Sequence, residues 1–559
     1  MLTVAIVPGF TILPAQAAED ITTDRITQVE LNAPDDSLTI TEGGSVTTTG
    51  TGVHAINSTG ATTTITNRGT ITTTGSKSDG LYSTGSNAKF TNNGIIKTIG
   101  SGSDGINSYD RAHEKNKSTQ SAVNAVITNS GIITTTGDEA DGIRITGANA
   151  IIHNSGIIST TGTGATYAIS GGINNSTLNL YAGSQIFGRI DLGGSTDSDT
   201  VNIYSGRGLG VSAAISFENT ETLNILGNVV GSKFDTKTGK GFIGVDPTAE
   251  ATRSVILSGL TSAIHQVVSQ RMAQTANSSL LQRDKPITWI QAFGGTFERD
   301  SKSNVLAYDS DQIGFTLGHE RQIHGGTLGF IGGYAYSDTD SADIKSFKTE
   351  VYNYFIGAYG GFSFVDALGD ANLTGSALAG YSKHENQRLV ADNINRHDIA
   401  TADIDSFFVS PSLTLSAAFS VADKIEIRPF AAINYSVAWM DGYTEQGTTR
   451  ADLKVDDRTL QTVSGRLQLA SACLIDEGSE IELRAGVNSR HSFDDDTNFS
   501  IKGNRFSYGA DGNDNTAGFV GANFRVSTTN QLEIIADIEY AESDNETRLG
   551  GTVGLNYCF

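Results

Sequence analysis

The sequence predicts an all-β protein built from two unlike β architectures in series, an N-terminal parallel β-helix and a C-terminal antiparallel barrel, with one α-helix between them. Three observations predict this. A motif recurs at a step of about 25 residues through the N-terminal part of the chain, the signature of a solenoid. Apolar residues fall at helical spacing in one stretch only, near residue 260. After Pro286, segments of about ten residues alternate apolar and polar side chains, as strands do.

The repeat comes first. "TNRGTITTTGSKSDGLYS" starts at Thr66, "TNNGIIKTIGSGSDGINS" at Thr91, "TNSGIITTTGDEADGIRITG" at Thr128 and "NSGIISTTG" at Asn154. Gly69 and Gly94 are one step apart, as are Gly131 and Gly156. The middle step is longer because "YDRAHEKNKSTQS", Tyr109 to Ser121, is inserted, and Gly44 lies one step upstream in a degenerate copy. β-Branched runs such as Ile132 to Thr136 favour a pleated surface. Asn-x-Gly and the pairs Asp79-Gly80, Asp104-Gly105 and Asp141-Gly142 read as turns in which Gly accepts a positive φ. Strand, turn, strand, turn makes one coil of a β-helix. A single coil cannot bury its apolar face, but stacking piles Ile71, Ile96, Ile133 and Ile158 into one core and lets Thr and Asn form ladders.

Residues 18–173 form this repeat region. Residues 174–248, with "STLNLYAGSQIFGRIDLGG", "DTVNIYSG" and "ETLNILGN", alternate more crisply and carry larger apolar residues. They read as a better-packed end of the solenoid, where an open edge must be covered. A linker follows over 249–283, with a helix from Thr252 to Gln274. Ile256, Leu260, Ile264, Val267 and Met272 recur there at helical spacing with no Pro.

Residues 284–559 read as an outer-membrane barrel. In "IEIRPFAAINYSVAW", Ile425, Ile427, Ala431, Ile433, Tyr435, Val437 and Trp439 share one face, opposite Glu426, Arg428, Asn434 and Ser436. In "EIELRAGVN", Ile481, Leu483 and Val487 oppose Glu482, Arg484 and Asn488. In "LEIIADIEY", Leu532, Ile534, Ile538 and Tyr540 oppose Glu533, Asp537 and Glu539. Ionised groups of both signs recur on the polar face, and aromatics cluster towards strand ends. Apolar residues would meet lipid and charged ones a wet lumen, with closure satisfying the backbone. About 270 residues give roughly a dozen strands.

Composition narrows the class. Gly is 64 and Pro only 7, a β-rich rather than a disordered balance. A net charge of −23 argues against nucleic acid as a partner. Cys473 and Cys558 alternate onto opposite faces of their strands, so no disulfide is expected. "MLTVAIVPGFTILPAQA" over residues 1–17 is an apolar run ending small-x-small, a secretory signal peptide. No Lys or Arg precedes that run, as in a signal shortened at its front.

The ordered set "WIQAFGG" at Trp289, "GFTLGHE" at Gly314, "FIGGYAYSDTD" at Phe330, "YFIGAYGGF", "ALAGYSKHENQR", "PFAAINYSVAWMDGYTEQG", "LRAGVN" and the ending "LNYCF" resembles the translocator of classical monomeric autotransporters, the type V secretion proteins of Gram-negative bacteria. The resemblance covers about half the chain. It implies a twelve-stranded barrel in outer-membrane lipid, with the helix bearing Ile256, Leu260, Ile264, Val267 and Arg271 inside the pore. It also implies a β-helix passenger at the cell surface and a stabilising junction over 174–248. Tyr557 and Phe559 would then signal to the barrel-assembly machinery, periplasmic chaperones would assist, and the protein would be a monomer. The Asn-Asn pair at which some such proteins cut themselves does not occur between Thr252 and Gln282.

No catalytic constellation stands out, and no cofactor or metal is expected. "DDSL" at Asp35 has Asp where an esterase block has Gly, and no His-Asp partner block follows. His54, His113 and His153 are isolated. The Asp-Gly pairs recur once per coil rather than every nine residues, which favours turns over calcium. The lumen charges Glu426, Arg428, Glu482, Arg484, Glu533, Asp537 and Glu539 either hold the helix, through Arg271, or line a wet wall. The insertion Tyr109 to Ser121 is either a contact loop or a tolerated solvated one. The expected function is an adhesin or surface-interaction protein for a host or bacterial ligand. The alternatives are an esterase or other hydrolase displayed on the same barrel, and a passive channel.

Overall fold

The computed structural model describes residues 18–109, 122–172, 175–194, 197–204, 212–226, 230–277, 286–302, 305–323, 326–342, 346–366, 369–476, 479–493, 496–509, 513–527 and 532–558. The signal peptide, Phe559 and the insertion beyond Tyr109 lie outside them.

The repeats build a parallel β-solenoid. Its coils carry three strands each, not the two expected. One sheet runs from Ala18–Ile21 through Lys89–Asn92 to Thr222–Leu226. A second runs from Asp24–Arg25 to Gln185–Phe187, and a third passes through Leu81–Ser83, Ile106–Ser108 and Ile143–Ile145. Strands of the third sheet are mostly three or four residues long, too short for alternation to show in sequence. Register is in step from coil to coil: Ile71, Ile96, Ile133 and Ile158 are successive partners, and all are buried. Beside them runs an asparagine ladder. Asn67 Nδ2 donates to Asn92 Oδ1 at 2.7 Å, Asn92 to Asn129 at 2.8 Å and Asn129 to Asn154 at 2.8 Å.

The glycines are needed for a different reason from the expected one. Positive φ occurs elsewhere, in two columns: at Thr62 (58°), Asn87 (55°), Asn124 (58°) and Asn149 (56°), and at Lys77 (54°), Gly102 (63°), Glu139 (55°) and Gly164 (87°). Gly94 and Gly131 are not left-handed. A Cβ on Gly94 would meet the Gly69 carbonyl oxygen at 2.1 Å, and one on Gly131 would meet the Gly94 oxygen at 2.1 Å. These corners are where adjacent coils come closest, so no side chain fits.

The Asp-Gly corners also differ from simple turns. Asp79 Oδ1 accepts the Asp104 N–H at 2.7 Å, Asp104 Oδ1 the Asp141 N–H at 2.7 Å, and Asp141 Oδ1 the Tyr167 N–H at 2.8 Å. His54 Nδ1 opens the column by accepting the Asp79 N–H at 3.0 Å. Each carboxylate thus satisfies a donor of the next coil.

The solenoid ends in a covered edge. Ser212–Glu218, Gly231–Asp235 and Gly239–Gly244 turn antiparallel over the last coils. The helix, Thr248–Asn277, is longer at both ends than the sequence pattern suggested. Among the described residues no helix is long and apolar enough to cross a membrane.

Twelve antiparallel strands follow, from Ile287–Arg299 to Glu546–Cys558. The first pairs with the last over its full length, Ile287 opposite Cys558 and Arg299 opposite Glu546, so the barrel closes and leaves no edge. Ile313, Phe315, Leu317, Ile356, Leu413, Leu467 and Val553 lie exposed on the outer face, as lipid contact requires. Phe315, Tyr334, Tyr354, Tyr381 and Phe407 form a belt across neighbouring strands, with successive ring centroids 5.2 to 6.5 Å apart. Such girdles sit at a membrane interface. Beyond this belt the strands Gly369–Asp392 and Arg396–Ala422 continue as a long hairpin.

Candidate functional site: the helix-filled lumen

The barrel has two unlike ends. At one, strands are joined by short links such as Ile323 to Gly326 and Ala422 to Ile425, and both barrel termini lie there. At the other, longer connections such as Met440 to Arg458 meet the solenoid. The helix runs through the lumen between them. Near its start, Thr248 Oγ1 accepts the Leu306 N–H at 3.0 Å, at the loop end. Near its finish, Arg271 binds Glu320 at 2.8 and 2.9 Å, close to the end bearing the termini.

One side of the helix is fastened to the wall by small polar pairs. Ser258 Oγ lies 2.8 Å from Ser464 Oγ, and Thr261 Oγ1 2.8 Å from Ser436 Oγ. His265 bridges Ser376 at 2.8 Å and Ser410 at 2.9 Å. Leu260, Ile264 and Val267 are buried with Phe355, Leu378 and Phe408. Ile256 does not join this cluster. It lines a cavity of about 200 Å³ with Gly259, Ala263, Gln266, Arg466 and Glu539.

Two ion clusters bracket the helix. At its start, Glu250 accepts from Arg253 at 2.7 Å, Arg458 at 2.7 Å and Tyr443 at 2.6 Å. At its finish, Glu320 takes both arms of Arg271 and the Tyr359 hydroxyl at 2.6 Å, while Trp289 Nε1 donates to Tyr359 at 2.9 Å. Arg271 and Glu320 are 3% and 1% exposed at the side chain. A bidentate Arg–carboxylate pair with a further donor is the arrangement that offsets the desolvation of buried charge.

All seven sequence-predicted lumen charges point inward, in wall networks of their own. Arg428 joins Glu426 (2.7 Å), Glu480 (2.9 Å) and Glu482 (3.0 Å). Arg484 pairs with Asp537 and, at 3.0 Å, with Glu539. Glu533 meets Arg525 at 3.6 Å and accepts from Asn556 at 2.6 Å. Of these, Glu539 reaches the helix, through Gln266 at 3.3 Å. The others bind the wall to itself. Arg271 is therefore held not by the charges picked out in the sequence but by Glu320, which "GFTLGHERQI" does not distinguish from its polar neighbours. Tyr557 lies exposed on the last strand, and Cys473 is an exposed free thiol.

The solenoid docks on the loop end. Ser212 to Ala214 pair in parallel with Val390 to Asp392 of the long hairpin. Arg450, from a neighbouring loop, clamps the junction: it binds Asp392 at 2.6 Å and the Ala214 carbonyl at 2.9 Å. Arg396 adds Ser159 Oγ at 2.9 Å.

A closed barrel with lipid-facing aliphatics, a charged inner wall and a helix along its axis defines an outer-membrane β-barrel of the plugged class. Residues 288–539 match the family model described as the autotransporter beta-domain, so the C-terminal part of this chain is an autotransporter barrel, a domain of outer-membrane proteins of Gram-negative bacteria. The translocator domain of the autotransporter NalP from Neisseria meningitidis is similar, at 15% identity and TM-score 0.42, over 55% of this chain and 99% of that one. So is the beta domain of the Bordetella autotransporter BrkA, at 18% identity and TM-score 0.38, over 49% and 100%. Outer membrane protein A of Rickettsia conorii is 26% identical over 191 residues, 32% of this chain and 9% of that protein. Outer membrane protein A of Rickettsia rickettsii is 26% identical over 190 residues, 32% and 8%. The chain thus spans less than a tenth of these relatives' length.

Proposed function

We propose that the barrel carries its own N-terminal solenoid to the cell surface and that the displayed solenoid acts in adhesion, on a host or bacterial surface ligand, rather than in catalysis. The course of the helix carries this reading. The chain leaves the solenoid at the loop end, follows the lumen, and starts its first strand at the end bearing both barrel termini. In outer-membrane barrels the short turns face the periplasm and the longer loops face outside, which supports a solenoid on the outer side. Beside the helix the lumen keeps a cavity of about 200 Å³, and in this reading the passenger crosses extended and folds coil by coil on the covered junction. Interaction with the barrel-assembly machinery through Tyr557 and Phe559 belongs to the same proposal, as do periplasmic chaperones and a monomeric state.

Adhesion is supported by the outer faces of the solenoid. Ile95 and Ile132 stand partner to partner and exposed. Rings stack as columns, His54 on Tyr82 at 4.4 Å and Tyr181 on Tyr204 at 4.8 Å. Flat repeated surfaces of this kind suit broad contact better than an enclosed reaction. The test compares bacteria carrying the full chain with bacteria carrying a chain deleted for residues 18–173, scoring attachment to host cells, sister cells and coated matrix. Attachment lost with the deletion is expected. Unchanged attachment together with a lost hydrolase activity would replace the adhesin reading by the enzyme one.

A further inference from the structure

The corner before the first strand of each coil is one slot: Asp36 holds it at the start, where Ala33 N–H donates to its carboxylate, and Thr63, Ala88, Ala125, Ala150 and Ser176 follow in turn, each just ahead of a strand of the same sheet. The residues that follow Asp36 are small, as a crowded corner demands. In the last two coils the slot changes to Asp199 and Glu221, with Asp197 two residues ahead of the first. In-register stacking therefore sets carboxylate against carboxylate, an arrangement that repels.

The hydrogen bonds account for only part of this cluster. Asp199 Oδ1 accepts the Ser176 N–H at 2.5 Å, and Glu221 Oε2 accepts the Asp199 N–H at 2.9 Å. Asp199 is completely buried, yet among the described residues nothing donates to its Oδ2 or to either oxygen of Asp197, though all three atoms are shut off from solvent. No Lys, Arg or His among the described residues forms an ion pair with any of the three. Buried anionic oxygens without a donor or cation are expensive.

We propose that Asp197, Asp199 and Glu221 hold a hard divalent cation of the calcium type, which cross-links the last two coils at the junction. One ligand oxygen from each residue lies within 4.8 Å of the other two. That is the widest separation one ion can bridge with bonds of about 2.4 Å, the calcium–oxygen distance. The donor set is all oxygen, with no imidazole or thiolate, which selects a hard ion over zinc or copper. The site does not depend on the adhesin reading. Without a cation, burial beside Asp197 and Glu221 pushes the Asp199 carboxyl up to about 7, so the competing arrangement is a proton shared between Asp197 and Asp199.

The test uses the full chain in detergent micelles, stripped with chelator and then titrated with calcium chloride. Calcium uptake is measured by equilibrium dialysis and solenoid unfolding by thermal circular dichroism. Asp199→Asn keeps an oxygen for the Ser176 N–H and removes one charge. Glu221→Gln changes an exposed side chain and leaves the fold intact. The wild type is expected to bind one more calcium ion than Asp199→Asn, with Glu221→Gln at least about tenfold weaker than wild type. The solenoid transition should rise with calcium in the wild type only. Equal uptake by wild type and both variants, or a wild-type transition that ignores calcium, would overturn the site and leave the shared proton as the account of the cluster.

Discussion

The solenoid and the barrel both bury polar groups inside β structure, and they do it in opposite ways. In the solenoid like lies on like: Asn67, Asn92, Asn129 and Asn154 form one column, and Asp79, Asp104 and Asp141 another. In the barrel unlike lies on unlike: Arg428 against Glu480, Arg484 against Asp537, Arg271 against Glu320. The cause is strand direction. A parallel in-register repeat places each residue on its own copy, so duplicating a coil duplicates its charge. An amide tolerates this because it both donates and accepts; a carboxylate does so by capping a backbone N–H, giving up its charge or sharing a cation. Antiparallel barrel strands are unrelated in sequence, so opposite charges can be brought together.

The comparison breaks most sharply at Arg271. Arg271→Ala leaves Glu320 buried without its cation and should cost the barrel about 3–5 kcal/mol. The readout is loss of the heat-modifiable gel shift at a lower temperature. Arg271→Leu with Glu320→Leu should recover most of that, because a dry pair can replace an ionic one. In the solenoid the largest effect belongs to the closest approach. Gly94→Ala forces a Cβ onto the Gly69 carbonyl and should cost about 3 kcal/mol, read by urea unfolding of the passenger. Asn92→Ala interrupts the amide column, strands its buried neighbours and should cost about 1–3 kcal/mol by the same readout.

The aspartate column gives a smaller effect with a definite sign. Burial pushes Asp79 up to about 6 and Asp141 up to about 6, and raises Asp104 as well. Below the ordinary carboxyl value of 3.8, native and unfolded chains both hold these protons. Between there and about 6 the native solenoid keeps protons that the unfolded chain has released, so stability falls as pH rises through that window. His54, held down to about 4 by burial, acts the other way between 6.5 and 4, but it is one group against three. The solenoid should therefore be more stable near pH 5 than near pH 7.5, on the order of 1–3 kcal/mol. Asp104→Asn should flatten the profile. A passenger most stable at pH 7.5 would show that the column keeps its charge.

How far the sequence could be read follows from the same contrast. The solenoid core was readable because Ile71, Ile96, Ile133 and Ile158 recur at one spacing, and the barrel because alternation persists over long strands. The third strand of each coil was not, since a run such as Ile106–Ser108 is shorter than the window in which alternation shows. The repeating glycines were found but explained wrongly: local sequence cannot tell a left-handed turn from a corner that a neighbouring coil crowds. The inward charges on the wall were readable from strand parity. Their partners were not, because Arg271 and Glu320 are 49 residues apart and meet only once the barrel closes. The acidic corner at Asp197, Asp199 and Glu221 needed the stacking register before its charges could be placed together.

The central claim is that the solenoid stands outside a membrane-embedded barrel whose lumen holds the connecting helix. Treating intact cells with a protease, then detecting separate tags in the passenger and in a periplasmic turn of the barrel, tests it most directly. The account predicts loss of the passenger tag while a fragment of helix and barrel survives. A passenger that resists until the outer membrane is permeabilised would contradict it.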